Sequence, residues 1–174
     1  MSNNLIKTDF QTLKEYIIGA HPESYRITPG GGQLDFLSGR CAEAALAVIQ
    51  SGKLPKGGFS TVRDDRFITL LFSGAGFLLV EATPGEDAQS STASVGAYSF
   101  SDPRVQVRIL DVESPAIAQV DEWSEWPTKI EFEFMLNNES LVHGVLMRSR
   151  PAMRDAMQII LDQVGQAAGV AGWE

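Results

Sequence analysis

Cysteine and histidine are scarce in this sequence, which holds one cysteine, Cys41, and two histidines, His21 and His143, among 174 residues. A single cysteine cannot form an internal disulfide, and such usage is typical of chains kept in a reducing compartment. Structural zinc sites take four nitrogen or sulfur ligands, whereas the whole chain offers three. No loop has the EF-hand spacing of calcium ligands. The sequence therefore predicts no metal site.

Long hydrophobic runs and a basic excess are missing too. No stretch of about 18 apolar residues occurs, so we expect no membrane span. The first residues, MSNNLIKTDF, lack the positive and then apolar regions of a secretory signal, which favours a cytoplasmic location. Lysine and arginine total 14 against 22 aspartates and glutamates, giving a net charge of −8. That sign repels nucleic acids and anionic lipids, so direct binding to either is not expected.

Motifs of nucleotide binding and of nucleophilic catalysis are also absent. The segment TPGGGQ, residues 28–33, lacks both the Lys–Ser/Thr pair of a P-loop and the GxGxxG of a dinucleotide fold, so it predicts a turn. No GxSxG elbow is present. Cys41 and His143 could form a nucleophile–base pair, but Cys41 lies in an alanine-rich helical pattern where a half-buried thiol is ordinary. We therefore expect no cofactor, no catalytic residue and no enzymatic activity.

What the chain does contain is the pattern of an α+β domain. A capping box at Thr8 predicts the start of the first helix, and Ser38 predicts the cap of the second. Two short strands are predicted between these helices, on either side of the turn at 28–33. About seven consecutive strands follow over residues 60–148, including a short one near 117–120.

A helix beginning at Pro151 closes the predicted order of elements. We expect one domain over residues 1–174, with a mostly antiparallel β-sheet or partly closed barrel between the N-terminal helices and this last helix. Its predicted parts are an α-β-β-α unit over 1–58, antiparallel strands over 59–148 and the C-terminal helix over 150–170. Seven strands followed by a helix, over roughly 60–168, resemble the element order of a pleckstrin-homology-type barrel. An acidic chain with helices at both ends is also similar to secretion chaperones.

The most regular strand pattern is KIEFEFML, residues 129–136, whose alternation predicts one buried and one exposed face. The predicted buried residues are Ile130, Phe132, Phe134 and Leu136, and the predicted exposed residues are Lys129, Glu131 and Glu133. NNES, residues 137–140, predicts a four-residue loop, which would place Phe134 opposite His143 and Lys129 opposite Arg148. His143 would then lie on the apolar face and Arg148 on the exposed face.

Acidic residues are concentrated between Asp111 and Glu139, where eight carboxylates accompany a single lysine. The eight are Asp111, Glu113, Asp121, Glu122, Glu125, Glu131, Glu133 and Glu139. The rest of the chain holds fourteen acids and thirteen bases, so nearly all of the net charge belongs to this segment. Trp123 and Trp126 stand within it, in the stretch DEWSEWP. Tryptophan is enriched in binding hot spots, so the segment predicts either a surface for a basic protein or a solvated edge whose tryptophans cover the sheet end.

Our leading hypothesis is a non-catalytic protein-interaction module, of inhibitor, immunity, adaptor or chaperone type, that binds a basic protein through the acidic–aromatic surface at 111–139. The predicted partner-binding residues are Asp121, Glu122, Trp123, Glu125, Trp126, Glu131 and Glu133. A first alternative is a small-molecule-binding domain or minor enzyme, with a pocket near His143 closed by the loop TPGEDAQSST. Polar groups for that pocket, or for a small anion site, would come from His143, Arg148 and Arg150. A second alternative is a structural assembly subunit, for which homo-oligomers are expected.

Overall fold

The computed structural model describes residues 2–21, 31–49, 53–86, 90–114 and 127–170. These residues contain three helices and seven strands. The helices are α1 (Ser2–Gly19), α2 (Gly31–Val48) and α3 (Pro151–Val170). The strands are β1 (Gly57–Arg63), β2 (Arg66–Phe72), β3 (Gly76–Thr83), β4 (Thr92–Ser99), β5 (Val105–Glu113), β6 (Lys129–Leu136) and β7 (Glu139–Met147).

The strands form two antiparallel sheets, with β1-β2-β3-β4 in one and β5-β6-β7 in the other. Over the part of the chain that the structure describes, these sheets do not close into a barrel. The predicted α+β class is confirmed, with N-terminal helices, seven antiparallel strands and a closing helix. The order of seven strands followed by a helix is present as well.

The four-stranded sheet is buried on both of its faces. One face packs against α1 and α2, where Phe67 and Leu71 of β2 belong to the same apolar cluster as Leu13. The opposite face packs against the three-stranded sheet and α3, through residues such as Leu70 and Phe72. This double burial explains why β2, RFITLLF, is apolar at nearly every position after its first arginine.

The three-stranded sheet, by contrast, has one buried face and one exposed face. The side chains of Ile130, Phe132 and Phe134 are fully buried, while Lys129 is exposed and Glu131 is half-buried. The period-two pattern of β6 therefore has the predicted orientation. Its apolar side faces the four-stranded sheet and α3 across the main core.

The pairing of β6 with β7 differs from the predicted register by one residue. Asn137 and Asn138 have φ angles of 53° and 67°, so they form a two-residue turn of the kind that Asn favours, in place of the expected four-residue loop. After a bulge near Met135, the partner of Phe134 is Val142 and the partner of His143 is Glu133. A one-residue shift moves every side chain of a strand to the other face. The prediction that His143 lies on the apolar face is therefore wrong.

The same shift corrects the predicted position of Arg148, because Lys129 pairs with Met147. Three other predictions about local structure are also wrong. Residues 33–37 are helical rather than extended, and Ser38 is buried inside α2 instead of capping it. An apolar stripe packed on the sheet stabilises this longer helix more than the local signals favour a strand. Helix α1 likewise begins at Ser2, ahead of Thr8; the strand expected near 117–120 lies outside the described residues.

The two sheets meet where Phe59 of β1 lies against Gly144 of β7. A Cβ atom added to Gly144 would overlap the ring of Phe59. That ring is buried and packs edge-on against Phe132, with centroids 5.3 Å apart. The bare backbone of Gly144 thus gives the Phe59 ring its space in the core between the sheets.

We predict that Gly144→Ala lowers the free energy of unfolding by about 1–3 kcal/mol, because a buried ring must move to admit the methyl group. Gly165→Ala is the matched control, since Gly165 is exposed in α3 and a Cβ there would meet nothing within 4 Å. The control substitution should instead raise the free energy by roughly 0.5–1 kcal/mol through helix propensity. Urea unfolding measures both values, and equal changes in the two variants would contradict the described contact.

Candidate functional site

The exposed face of the three-stranded sheet carries four of the eight carboxylates of the acidic segment between Asp111 and Glu139. We call it the acidic face, and it consists of Arg108, Asp111, Glu113, Lys129, Glu131, Glu133 and His143. Strand alternation directs these side chains away from the core, while their neighbours point inward. No element of the described chain covers this face.

Cross-strand pairing on the acidic face sets opposite charges together in two of its rows. Glu113 lies opposite Lys129, and Arg108 lies opposite Glu133, with Nη1 and Oε2 3.7 Å apart. His143 stands on the other side of Glu133 and hydrogen-bonds to Glu131, with Nε2 and Oε1 2.7 Å apart. These contacts are largely exposed, so each contributes less than about 1 kcal/mol.

The row between these two breaks the pattern. Asp111 lies directly opposite Glu131, and the third residue of the row, on β7, is Val145. Like charges opposite each other in a sheet are destabilising, by roughly 0.2–1 kcal/mol. This row therefore sets two carboxylates side by side with no base directly across from either.

The break follows from a bulge in β5. Val105, Val107 and Ile109 alternate toward the core, and the register then shifts between Ile109 and Asp111. Leu110 takes up the extra residue and is 42% exposed, and Val112 is 48% exposed. Sequence analysis missed both residues as surface features. The signal was in the string RILDV, where two adjacent apolar residues interrupt the alternation of the strand.

Glu113, the last residue of β5, is hydrogen-bonded to Thr128, the residue before β6. The carbonyl of Glu113 accepts hydrogen bonds from the backbone N–H of Thr128 at 2.8 Å and from its hydroxyl at 3.0 Å. Residues 115–126 connect these two positions and lie outside the described residues. Five of the predicted partner-binding residues belong to that segment: Asp121, Glu122, Trp123, Glu125 and Trp126. The other two, Glu131 and Glu133, lie on the acidic face.

The residues predicted as ligand groups are in unlike surroundings. His143 is exposed on the acidic face, whereas Arg150 is only 8% exposed. The guanidinium of Arg150 donates from Nη1 to the carbonyl of His21, 3.0 Å away, just after the end of α1. A cation there satisfies a carbonyl that the helix leaves open and complements the helix dipole. Arg148 is half-buried between β7 and α3.

His143 lines neither of two clefts that the described residues form. The larger, of about 470 Å³, lies at the ends of β2, β3 and β4 beside Lys53 and Pro55. It is at the other end of β3 and β4 from the loop TPGEDAQSST. The smaller, of about 280 Å³, lies between β5 and the C-terminal half of α3. Neither has the position that was expected for a pocket near His143.

The free thiol is far from His143 in the fold. Cys41 is completely buried in the cluster between α1, α2 and the four-stranded sheet, and burial raises the pKa of its thiol to about 12. His143 lies on the exposed side of the other sheet, so the two residues do not form a nucleophile–base pair.

Native Cys41 should therefore be inert toward thiol reagents at pH 8, since both the thiolate fraction and access are very low. We predict that Ellman's reagent labels less than about a tenth of the chain in an hour under native conditions and all of it in guanidinium. Rapid native labelling would contradict the burial of α2 on the sheet.

Within the described residues, no group of three or more His, Cys, Asp or Glu side chains is arranged to hold a metal ion. None of the described helices is long and apolar enough to cross a membrane. No protein-family model, no curated protein and no solved structure matches this chain.

Proposed function

We propose that this chain is a non-catalytic protein-interaction module that binds a basic protein through the acidic face and the adjoining aromatic segment. The observation that carries this proposal is the Asp111–Glu131 pair on an uncovered sheet face. A cross-strand like-charge pair costs stability in the free chain, and a bound cation removes that cost. The bound chain is therefore stabilised relative to the free chain, and this difference contributes to the binding free energy.

The chemistry of the surface fits a macromolecular partner better than a small ligand. Four of the charged residues on the acidic face are acids: Asp111, Glu113, Glu131 and Glu133. Clustered charge of one sign steers an oppositely charged partner and raises its association rate. The segment that joins β5 to β6 adds Trp123 and Trp126, which are residue types that dominate interface energetics. We place this function in the cytoplasm, where a single free cysteine stays reduced.

Inhibitor, immunity, adaptor and chaperone roles all use such a surface, and they remain alternatives within the proposal. A small-molecule-binding domain is the second candidate function. The cleft of about 470 Å³ favours it, because its volume is in the range of ligand pockets and its lining is mostly apolar. That candidate depends on residues such as Leu78 and Tyr98 and not on His143.

Capture from a lysate of the native host tests the leading proposal. The double variant Glu122→Lys with Trp123→Ala should retain less than about a tenth of the partner that the wild type captures, because both charge attraction and a hot-spot ring are lost. The control is Glu86→Lys with Trp173→Ala, which changes charge and tryptophan count equally at positions outside residues 111–139. Equal capture by the wild type and the Glu122 variant would overturn the proposal.

A second experiment separates binding from folding. Asp111→Asn keeps an oxygen at the position that accepts the Val112 N–H and removes only the charge. It should raise the free energy of unfolding by about 0.2–1 kcal/mol and yet weaken capture, since repulsion from Glu131 disappears together with the attraction for the partner. Glu113→Gln is the matched control, because Glu113 faces Lys129 and its neutralisation should not stabilise the chain. Destabilisation by Asp111→Asn would contradict the proposed role of the pair.

A further inference from the structure

The free edge of β5 differs from the edge of β1 in the other sheet. The edge of β1 is covered, because Ser60 N–H bonds to the Ala20 carbonyl and the backbone of α3 approaches Gly57 closely. Strand β5 pairs with β6 on one side, and no described strand pairs with its other side. The smaller cleft, between β5 and α3, is lined on the β5 side by Val105–Arg108. We call the side of β5 away from β6, in its second half from Ile109 to Glu113, its open edge, because none of the described strands pairs with it.

This half of β5 also exposes apolar side chains. Among the described residues, four large hydrophobic side chains are exposed, and two of them, Leu110 and Val112, are here. Val112 is on the core side of the sheet, opposite the buried Ile130. Val112 is exposed because the sheet ends at β5. A further strand paired with β5 would extend the sheet and cover this side chain.

In the second half of β5, the backbone groups of Val112 are directed to the side on which a further strand would pair. The carbonyl of Glu113 points toward β6, where it accepts from Thr128. Neighbouring residues in a strand direct their backbone groups to opposite edges, so the backbone groups of Val112 point to the open edge. The N–H of Val112 donates to its neighbour's side chain, Oδ1 of Asp111, at 2.9 Å. An incoming carbonyl could replace that carboxylate, which would then be free to bind a cation.

We infer that the open edge of β5, from Ile109 to Glu113, receives an extended segment of the partner as an additional antiparallel or parallel strand, an inference that rests on the proposed function. The segment alternates basic and apolar residues. Its apolar side chains cover Val112 on the core side, and its basic side chains lie beside Asp111 and Glu113 on the acidic face. A base beside Asp111 also supplies the cation that the Asp111–Glu131 row lacks.

A second copy of this chain fits the edge less well. Two β5 strands that pair with each other would set the carboxylates of Asp111 and Glu113 against their own copies. Like charges across a strand pair are destabilising. Charge complementarity therefore favours a basic segment over self-association.

The inference is tested with a defined peptide, fluorescein-labelled TKVKVKVKT, measured by fluorescence anisotropy with the full chain at low salt. The protein variant is Val112→Pro, because proline removes an N–H that points away from the sheet and is tolerated in edge strands. Circular dichroism and urea unfolding check that the variant is folded. The control peptide, TKKVVVKKT, has the same composition and charge without the alternation.

We expect TKVKVKVKT to bind the wild type at least tenfold more tightly than it binds Val112→Pro. The control peptide should bind both proteins equally and weakly. If the variant does not fold, the same test is made with wild-type protein and two modified forms of TKVKVKVKT. Each form is N-methylated on alternate residues, one form on the odd positions and the other on the even positions. One of them should lose at least tenfold in affinity, because it cannot form backbone hydrogen bonds on the side that faces β5.

Equal binding of TKVKVKVKT to the wild type and to folded Val112→Pro would overturn strand addition, as would absence of binding to the wild type. Sedimentation that shows a wild-type dimer, lost in Val112→Pro, would overturn it in favour of a second copy. The broader proposal is judged separately by capture with the Glu122 and Trp123 double variant. If the double variant loses capture while Val112→Pro captures the partner fully, the proposed binding surface is supported and strand addition is overturned.

Discussion

Burial of the four-stranded sheet on both faces is the constraint on which the rest of the fold depends. Strands β2 and β3 carry apolar side chains on both sides, so each face needs its own cover. Helices α1 and α2 supply one cover through small residues such as Ala42 and Ala45, which let α2 lie close to the strands. The three-stranded sheet and α3 supply the other, and the bare backbone of Gly144 makes room there for Phe59.

This arrangement leaves the three-stranded sheet with a face that the described chain does not cover. The core fixes which side chains point outward, because Ile130, Phe132 and Phe134 must point inward. Acidic residues gather on the outward side, and a bulge in β5 brings Asp111 opposite Glu131. The same bulge exposes Leu110 next to an open strand edge. Charge, apolar surface and a strand edge with which no described strand pairs are thus found together, and each favours association with a basic extended chain.

The hydrophobic periodicity of the sequence was enough to predict those strands and helices that bury one face in the core. The alternation of KIEFEF and the helical stripe of Met153, Met157 and Ile160 correspond to buried faces in the structure. Prediction failed where a local feature decides the geometry. Two asparagines in left-handed conformations shortened the β6–β7 turn by two residues, and a bulge between Phe134 and Met135 made the net shift one residue, which moved His143 to the exposed face. Residues 33–37 are helical because the helix to which they belong packs on the sheet through Leu37, Cys41 and Ala45, which no local signal shows.

The candidate site was predicted in part. Glu131 and Glu133 are on the predicted exposed face, since strand alternation alone determines this. The Asp111–Glu131 pair depends on the register between strands that are separated by a long connection, and sequence spacing does not fix that register. The open edge of β5 depends on which strands pair in the sheet, which is a property of the packed chain.

Hydrogen–deuterium exchange of the chain with its captured host partner tests the central claim most directly, because it locates the binding surface. The account predicts that the partner slows exchange in segments that cover 108–114 and 129–133, while β2, already buried, stays unchanged. Protection confined to the cleft beside Lys53 and Leu78 would contradict the account and favour a different binding site.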